Sequence, residues 1–135
     1  MVISYRSIIL SVLLLFSYLS KAESFPSPVN LKTDYIENPI GIDNPSPRLA
    51  WKIEDNQKGT QQSAYRILVG SDSLAVVRGE GNMWNSGKTN SNRQLVTYRG
   101  KNLTPFTRYY WKVLVWTESQ QESVSGIQSF ETGMM

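Results

Sequence analysis

The sequence contains no cysteine and no histidine. The first absence excludes disulfides, thiolate metal sites and thiol nucleophiles, and the second removes the commonest general base and metal ligand. Any catalysis would rest on carboxylates, hydroxyls, lysine or tyrosine, and no cofactor is expected. Blocks of like charge are also missing: 14 Lys and Arg stand against 11 Asp and Glu, a net charge of +3, and they are scattered along the chain. Nucleic-acid binding leaves a clustered basic footprint, so this even spread argues for a solvated surface and against nucleic acid as a partner. Helical stripes of useful length are lacking too. A chain of 135 residues supports one domain of ordinary size.

What is present begins with MVISYRSIILSVLLLFSYLSKAES, where Arg6 sits in a short polar start. An apolar run follows from Ile8 to Leu19, with small residues at Ser20 and Ala22. This is secretory signal-peptide architecture. The run is shorter than the roughly 20 residues that span a bilayer, so cleavage after Ala22 is expected and no membrane association thereafter. Residues 1–22 are read as the signal peptide and 23–135 as the mature domain, periplasmic or extracellular in a bacterium.

The mature length is close to the roughly 100 residues of an immunoglobulin-like sandwich. Segments of period two recur between turn signals at Val29–Tyr35, Leu49–Glu54, Tyr65–Gly70, Gln94–Tyr98, Thr107–Thr117 and Ile127–Thr132. Proline and glycine punctuate NPIGIDNPSP (Asn38–Pro47) and RGEGN (Arg78–Asn82), where fixed φ angles and missing amide donors stop a strand. SLAVVR (Ser73–Arg78) has room for a helical turn or two in a connection. WNSGK (Trp84–Lys88) reads as a strand entering a turn, with Gly87 supplying a positive φ. The expected fold is all-β, an immunoglobulin or fibronectin type III-like sandwich of about seven strands.

Side chains alternate across a strand, so TRYYWKVLVWT (Thr107–Thr117) has two faces. Tyr109, Trp111, Val113 and Val115 share one, which should pack against Leu49, Trp51 and Ile53 and against Tyr65, Ile67 and Val69. Arg108, Tyr110, Lys112, Leu114 and Trp116 share the other, and its two charges mark it as the more solvated. Leu103, Pro105, Thr107 and Tyr109 resemble the approach to the sixth strand of fibronectin type III domains, where a tyrosine hydroxyl bonds back to upstream backbone. Trp51 resembles their core tryptophan. Trp51, Tyr109, Trp111, Leu103 and Pro105 are therefore read as structural.

Four stretches are more specific: YIENPIGIDNPSPRLAWKIE (Tyr35–Glu54), QQSAYRILVGSD (Gln61–Asp72), MWNSGK (Met83–Lys88) and TRYYWKVLVWT. In this order and spacing they resemble the N-terminal domain of bacterial α-L-rhamnosidases of glycoside hydrolase family 78, inverting enzymes that release terminal L-rhamnose from glycans. The resemblance covers essentially the whole mature chain. It implies a fibronectin type III-like module of a secreted glycosidase whose later β-domains and α/α barrel carry the catalytic carboxylates. None of those catalytic positions maps onto this chain, which is expected not to be an enzyme by itself.

The acidic residues agree. An inverting site needs two carboxyl groups roughly 6.5–9.5 Å apart across a sugar-shaped cleft, whereas Asp34/Glu37 and Glu54/Asp55 fall at strand ends or turns. Asp43 and Asn44 beside Pro45 read as turn caps that bond local backbone. No metal site is expected.

Two functions remain. The first is a module that packs against the downstream domains of the parent glycosidase; the second is a stand-alone carbohydrate-binding or adhesion module that takes rhamnose-containing glycans. Arg48, Tyr110 and Trp116 are the candidates for the partner or glycan surface, with Tyr98 and Trp84 as further aromatics. If Tyr110 and Trp116 lie side by side, they form an apolar patch for a sugar ring or a neighbouring domain. In isolation the domain is expected to be a monomer.

Overall fold

The computed structural model describes residues 27–54 and 59–135. The signal-peptide reading of residues 1–22, and Asp55, lie outside the described residues. Nine strands form among those described: β1 (Ser27–Thr33), β2 (Ile40–Ile42), β3 (Arg48–Glu54), β4 (Gln62–Gly70), β5 (Trp84–Asn85), β6 (Leu95–Thr97), β7 (Arg108–Thr117), β8 (Glu122–Val124) and β9 (Gln128–Thr132). A five-residue helix, α1 (Ser73–Val77), connects β4 to β5.

One sheet has the order β1-β3-β6 and the other β2-β9-β7-β4-β5, with β8 pairing the far end of β7. The pairing is antiparallel except between β2 and β9, which run parallel. Two such sheets face to face make an immunoglobulin-like, fibronectin type III-like sandwich. The six expected segments each overlap a strand. β2 and β8 raise the count beyond seven. β2 hides in NPIGIDNPSP because its prolines flank the three paired residues and leave their amides free, while Gly41 takes a φ of +80°. β8 forms because β7 folds back at Thr117, whose amide donates to the Gln121 carbonyl at 3.1 Å.

The core lies between the sheets. Tyr109, Trp111, Val113 and Val115 of β7 bury against Leu49 and Trp51 of β3, with Tyr65, Ile67 and Val69 of β4 on the adjacent strand, and Ile53 is partly buried at the margin. Phe130 of β9 packs 5.4 Å from Tyr109 between ring centroids, and Trp51 lies 5.6 Å from Tyr65. Fully burying such side chains contributes about 1.5–3 kcal/mol each, which is how a chain without disulfides holds two sheets together. The Trp111 indole N–H is buried without a hydrogen-bond partner among the described residues.

The other face of β7 is less solvated than the sequence suggests. Lys112 is only 9% exposed, and its ammonium donates to the Val77 carbonyl of α1 at 3.1 Å. The short helix lies over this face, so the lysine stem packs beneath it while its charge meets the helix's last carbonyls. Asp72 caps α1 by accepting from the Leu74 amide. Gly70 lets the helix close on β4: a Cβ there would stand 2.8 Å from Val76 Cγ2 and 2.9 Å from Asn82 Oδ1.

Candidate functional site

The segment Leu103–Tyr109 turns tightly into β7. The Tyr109 hydroxyl accepts the Thr104 amide at 2.9 Å and lies 2.9 Å from Thr104 Oγ1, the geometry of a tyrosine corner. Thr132 Oγ1 of β9 donates to the Thr104 carbonyl and accepts the Thr107 amide. Leu103 is half-buried against the core, whereas Pro105 is exposed and its carbonyl accepts from Thr107 Oγ1 at 2.9 Å. At the tip Phe106 has a φ of +52°, with its amide on the Gly133 carbonyl at 3.0 Å.

Tyr98 belongs to the core and not to the surface. Its hydroxyl donates to the Lys101 carbonyl at 2.7 Å, and burial, reinforced by Tyr109 nearby, pushes its pKa up to about 12. Trp84 is half-buried with its ring edge-on to Tyr98 at 5.4 Å, covering the margin of the core. Gly87 has the positive φ, +67°, that the turn after β5 needs.

The structure does not bring Arg48, Tyr110 and Trp116 together. Arg48 begins β3 in the three-stranded sheet, where its guanidinium lies 5.8 Å from the Tyr35 ring centroid and donates to the Tyr35 hydroxyl at 3.1 Å. Tyr110 and Trp116 lie on β7, six residues and so about 20 Å apart. Tyr110 stands opposite Gly70 and Ser129, Trp116 opposite Ala64 and Glu122, with the covered Lys112 between them. The side-by-side patch does not form. The Trp116 ring is instead faced by the Lys88 ammonium at 4.6 Å, a cation–π contact that occupies the ring.

The acidic residues hold turns. Asp34 accepts the Arg48 amide at 2.8 Å and the Asn44 side-chain amide at 3.2 Å, and Asn44 accepts from the Ser46 amide at 3.0 Å. Asp43 accepts the Met135 amide at 2.9 Å. No group of three acidic side chains among the described residues is placed to hold a metal ion.

A cleft of about 400 Å³ opens between the edges of the two sheets, where β5 and β6 carry free edges. Tyr65, Trp84 and Val96 form its apolar wall, and Asn85, Arg93 and Arg99 its polar one. Among the described residues no carboxylate lines it. Such a lining suits a small polar ligand, and its described residues include no pair of carboxyl groups of the kind a glycosidase uses.

Gln62 was not singled out from the sequence. Nearly buried at the start of β4, its carbonyl accepts the Trp51 indole N–H at 2.9 Å, while its amide donates to the carbonyls of Ser91 and Arg93 at 3.0 and 2.8 Å. A polar residue just before an alternating strand carries no signal of such a role. Only the unpaired donor of a core tryptophan hints that an acceptor must be supplied.

Fold and side-chain geometry thus define an immunoglobulin-like module whose interior is filled. The family model for the Rha78A-like N-terminal immunoglobulin domain matches residues 28–135, and the chain belongs to this family. The alpha-L-rhamnosidase of Formosa agariphila is 44% identical over 100 residues, which is 73% of this chain and 10% of that protein. The structure of alpha-L-rhamnosidase from Dictyoglumus thermophilum superposes with a TM-score of 0.80 at 37% identity, covering 85% of this chain and 13% of that one. The Streptomyces avermitilis alpha-L-rhamnosidase complexed with L-rhamnose gives 0.76 at 33%, covering 81% and 11%. The chain therefore spans about a tenth of the length of the curated relatives it matches.

Proposed function

We propose that this chain is the non-catalytic N-terminal module of a secreted bacterial α-L-rhamnosidase, an inverting glycoside hydrolase, and that it packs against downstream domains carrying the chemistry. Residues 1–22 serve as the signal peptide in this reading and 23–135 as the module. The family match over residues 28–135 carries it, with relatives named alpha-L-rhamnosidases of which the matched portion is about a tenth. The residues support it as well. Glycoside cleavage needs a protonated acid opposite a base around a bound sugar, whereas Asp34 and Asp43 accept backbone amides at turns. The purified chain is expected to release no p-nitrophenol from p-nitrophenyl α-L-rhamnopyranoside. Turnover that replacing one of its own carboxylates abolishes would overturn the reading.

The cleft between β5 and β6 favours a second reading, a carbohydrate-binding module. Trp84 offers a stacking surface and the two arginines offer donors to sugar oxygens. Titration with L-rhamnose and rhamnose-containing oligosaccharides separates the two. Saturable binding that disappears in Arg93→Gln supports the second reading, and its absence supports the first.

A further inference from the structure

Ten large apolar side chains are exposed among the described residues, and six of them stand at one end of the sandwich. β1, β4, β6 and β9 finish at that end and β3 and β7 begin there, as the pairings Thr33 with Leu49, Arg48 with Thr97, Gly70 with Tyr110 and Arg108 with Glu131 require. Hydrogen bonds fuse the loops of both sheets into one surface: Asp34 binds Arg48 and Asn44, Asp43 binds the Met135 amide, and the Phe106 amide binds Gly133. Tyr35, Ile36, Ile40, Phe106, Met134 and Met135 stand on this end, and Leu74 and Val77 of α1 flank it. The other two, Leu95 and Val124, are isolated on β6 and β8.

Scattered single apolar residues are ordinary on a protein surface, but a concentration of them marks an interaction site. Phe106 adds a second sign. It is 73% exposed at a φ of +52°, a conformation unfavourable for a bulky side chain. The corner bonds of Tyr109 and Thr132 hold the backbone there, so the ring is presented outward and gains nothing from its own domain.

We propose that this end is the docking surface for the domain that follows the sandwich in the same polypeptide. The inference rests on the reading of the chain as a module ahead of further domains. In the relatives the matched portion is about a tenth of the protein, and its family is an N-terminal one, so the following domain is delivered by β9. β9 finishes beside Phe106 and Ile42, where Gly133 binds both backbones. A neighbour in the same polypeptide is held at high effective concentration, and an apolar end then suffices to seat it. At the opposite end the described residues expose Lys88, Asn90, Asn92, Glu118 and Gln120, and no large apolar side chain among them is exposed there.

Hydroxyl-radical footprinting of the parent polypeptide tests this, with Val124 as the internal exposed reference. Phe106, Ile40 and Met134 are expected to label several-fold more slowly than their exposure here requires, independently of protein concentration. The double variant Phe106→Asn, Met134→Ser should restore labelling at Ile40 and increase protease cleavage between this domain and the next. Asn tolerates the positive φ, so the turn is kept. Free labelling of Phe106 and Met134 in a multidomain parent overturns the inference and leaves the proposed function standing. Protection that appears only at high concentration assigns the surface to a second copy and also overturns it. A parent with no following domain removes the proposed function itself.

Discussion

At the corner end of the sandwich three hydroxyls, those of Tyr98, Tyr109 and Thr132, fasten the loops, whereas at the other end the Gln62 amide joins Trp51 to the segment before β6 and the Ser63 and Thr117 hydroxyls bond the backbone where β7 ends. Without disulfides, both ends need buried polar side chains to satisfy loop backbone that water cannot reach. The difference lies in what each leaves outside. The Tyr109 and Thr132 hydroxyls bond back to Thr104 and draw the corner tight with Phe106 outside, while the Gln62 amide holds a segment whose exposed residues, Asn92 and Arg93 among them, are polar. One end leaves apolar side chains outside, and the described residues of the other leave polar ones.

Gln62→Leu should break the amide end with the largest effect of any single change considered. The side chain keeps similar volume, but the Trp51 N–H and the carbonyls of Ser91 and Arg93 lose their partner. Leaving buried polar groups unsatisfied costs about 1–3 kcal/mol each, so a loss of about 2–5 kcal/mol is expected in urea unfolding. In a domain of this size each kcal/mol lowers Tm by about 4–8 °C. A loss no greater than that of Tyr109→Phe would mean the two ends are fastened alike.

The corner end was legible because its device is a spacing. Leu103, Pro105, Thr107 and Tyr109 stand two apart before a strand whose alternation is plain, and a hydroxyl at that place bonds back a few residues. The inner face of β7 was legible for the same reason. Gln62 was not, because its partners are 11, 29 and 31 residues distant and no local pattern links them. The cover over Lys112 escaped for a related reason: the helix that supplies it is too short to leave a periodic stripe, and its seat depends on the bare Cα of Gly70. The candidates Tyr110 and Trp116 share a face of one strand, and six residues of extended chain already put them about 20 Å apart; what alternation does not show is the helix over Lys112 between them and the Lys88 ammonium on the Trp116 ring.

Alkaline pH should loosen the corner end before the amide end. The folded-state pKa of Tyr98 is about 12, raised first by burial and then by Tyr109, against an ordinary value near 10 in the unfolded chain. Between those values the folded state holds the proton that the unfolded state has lost. The contribution is therefore complete below pH 10 and declines as pH rises through 12, by a few kcal/mol at most at about 1.4 kcal/mol per unit. Tyr98→Phe, less stable at neutral pH because the Lys101 carbonyl loses its donor, should decline less steeply over the same range. Parallel declines for the two proteins would show that another group governs the alkaline limit.

The finest test separates two adjacent phenols on β7. Tyr109→Phe keeps the ring against Phe130 and removes only the hydroxyl that receives the Thr104 amide. A typical intramolecular hydrogen bond contributes about 0.5–1.5 kcal/mol net, and an unsatisfied buried partner raises the cost to about 1–3 kcal/mol. Thr104 is exposed, so water recovers part of its amide's bond and the expected loss lies near the lower end of that range. Tyr110→Phe removes a hydroxyl on the opposite, half-exposed face, where water replaces whatever it binds. Surface changes of this kind fall within about 0.5 kcal/mol. The ratio matters more than either value, because only the Tyr109 hydroxyl is tied to the turn that presents Phe106. Hydrogen exchange at the Thr104 and Phe106 amides should quicken in Tyr109→Phe and stay unchanged in Tyr110→Phe. Equal losses and equal exchange would mean that the corner is held by β9 through Thr132 alone.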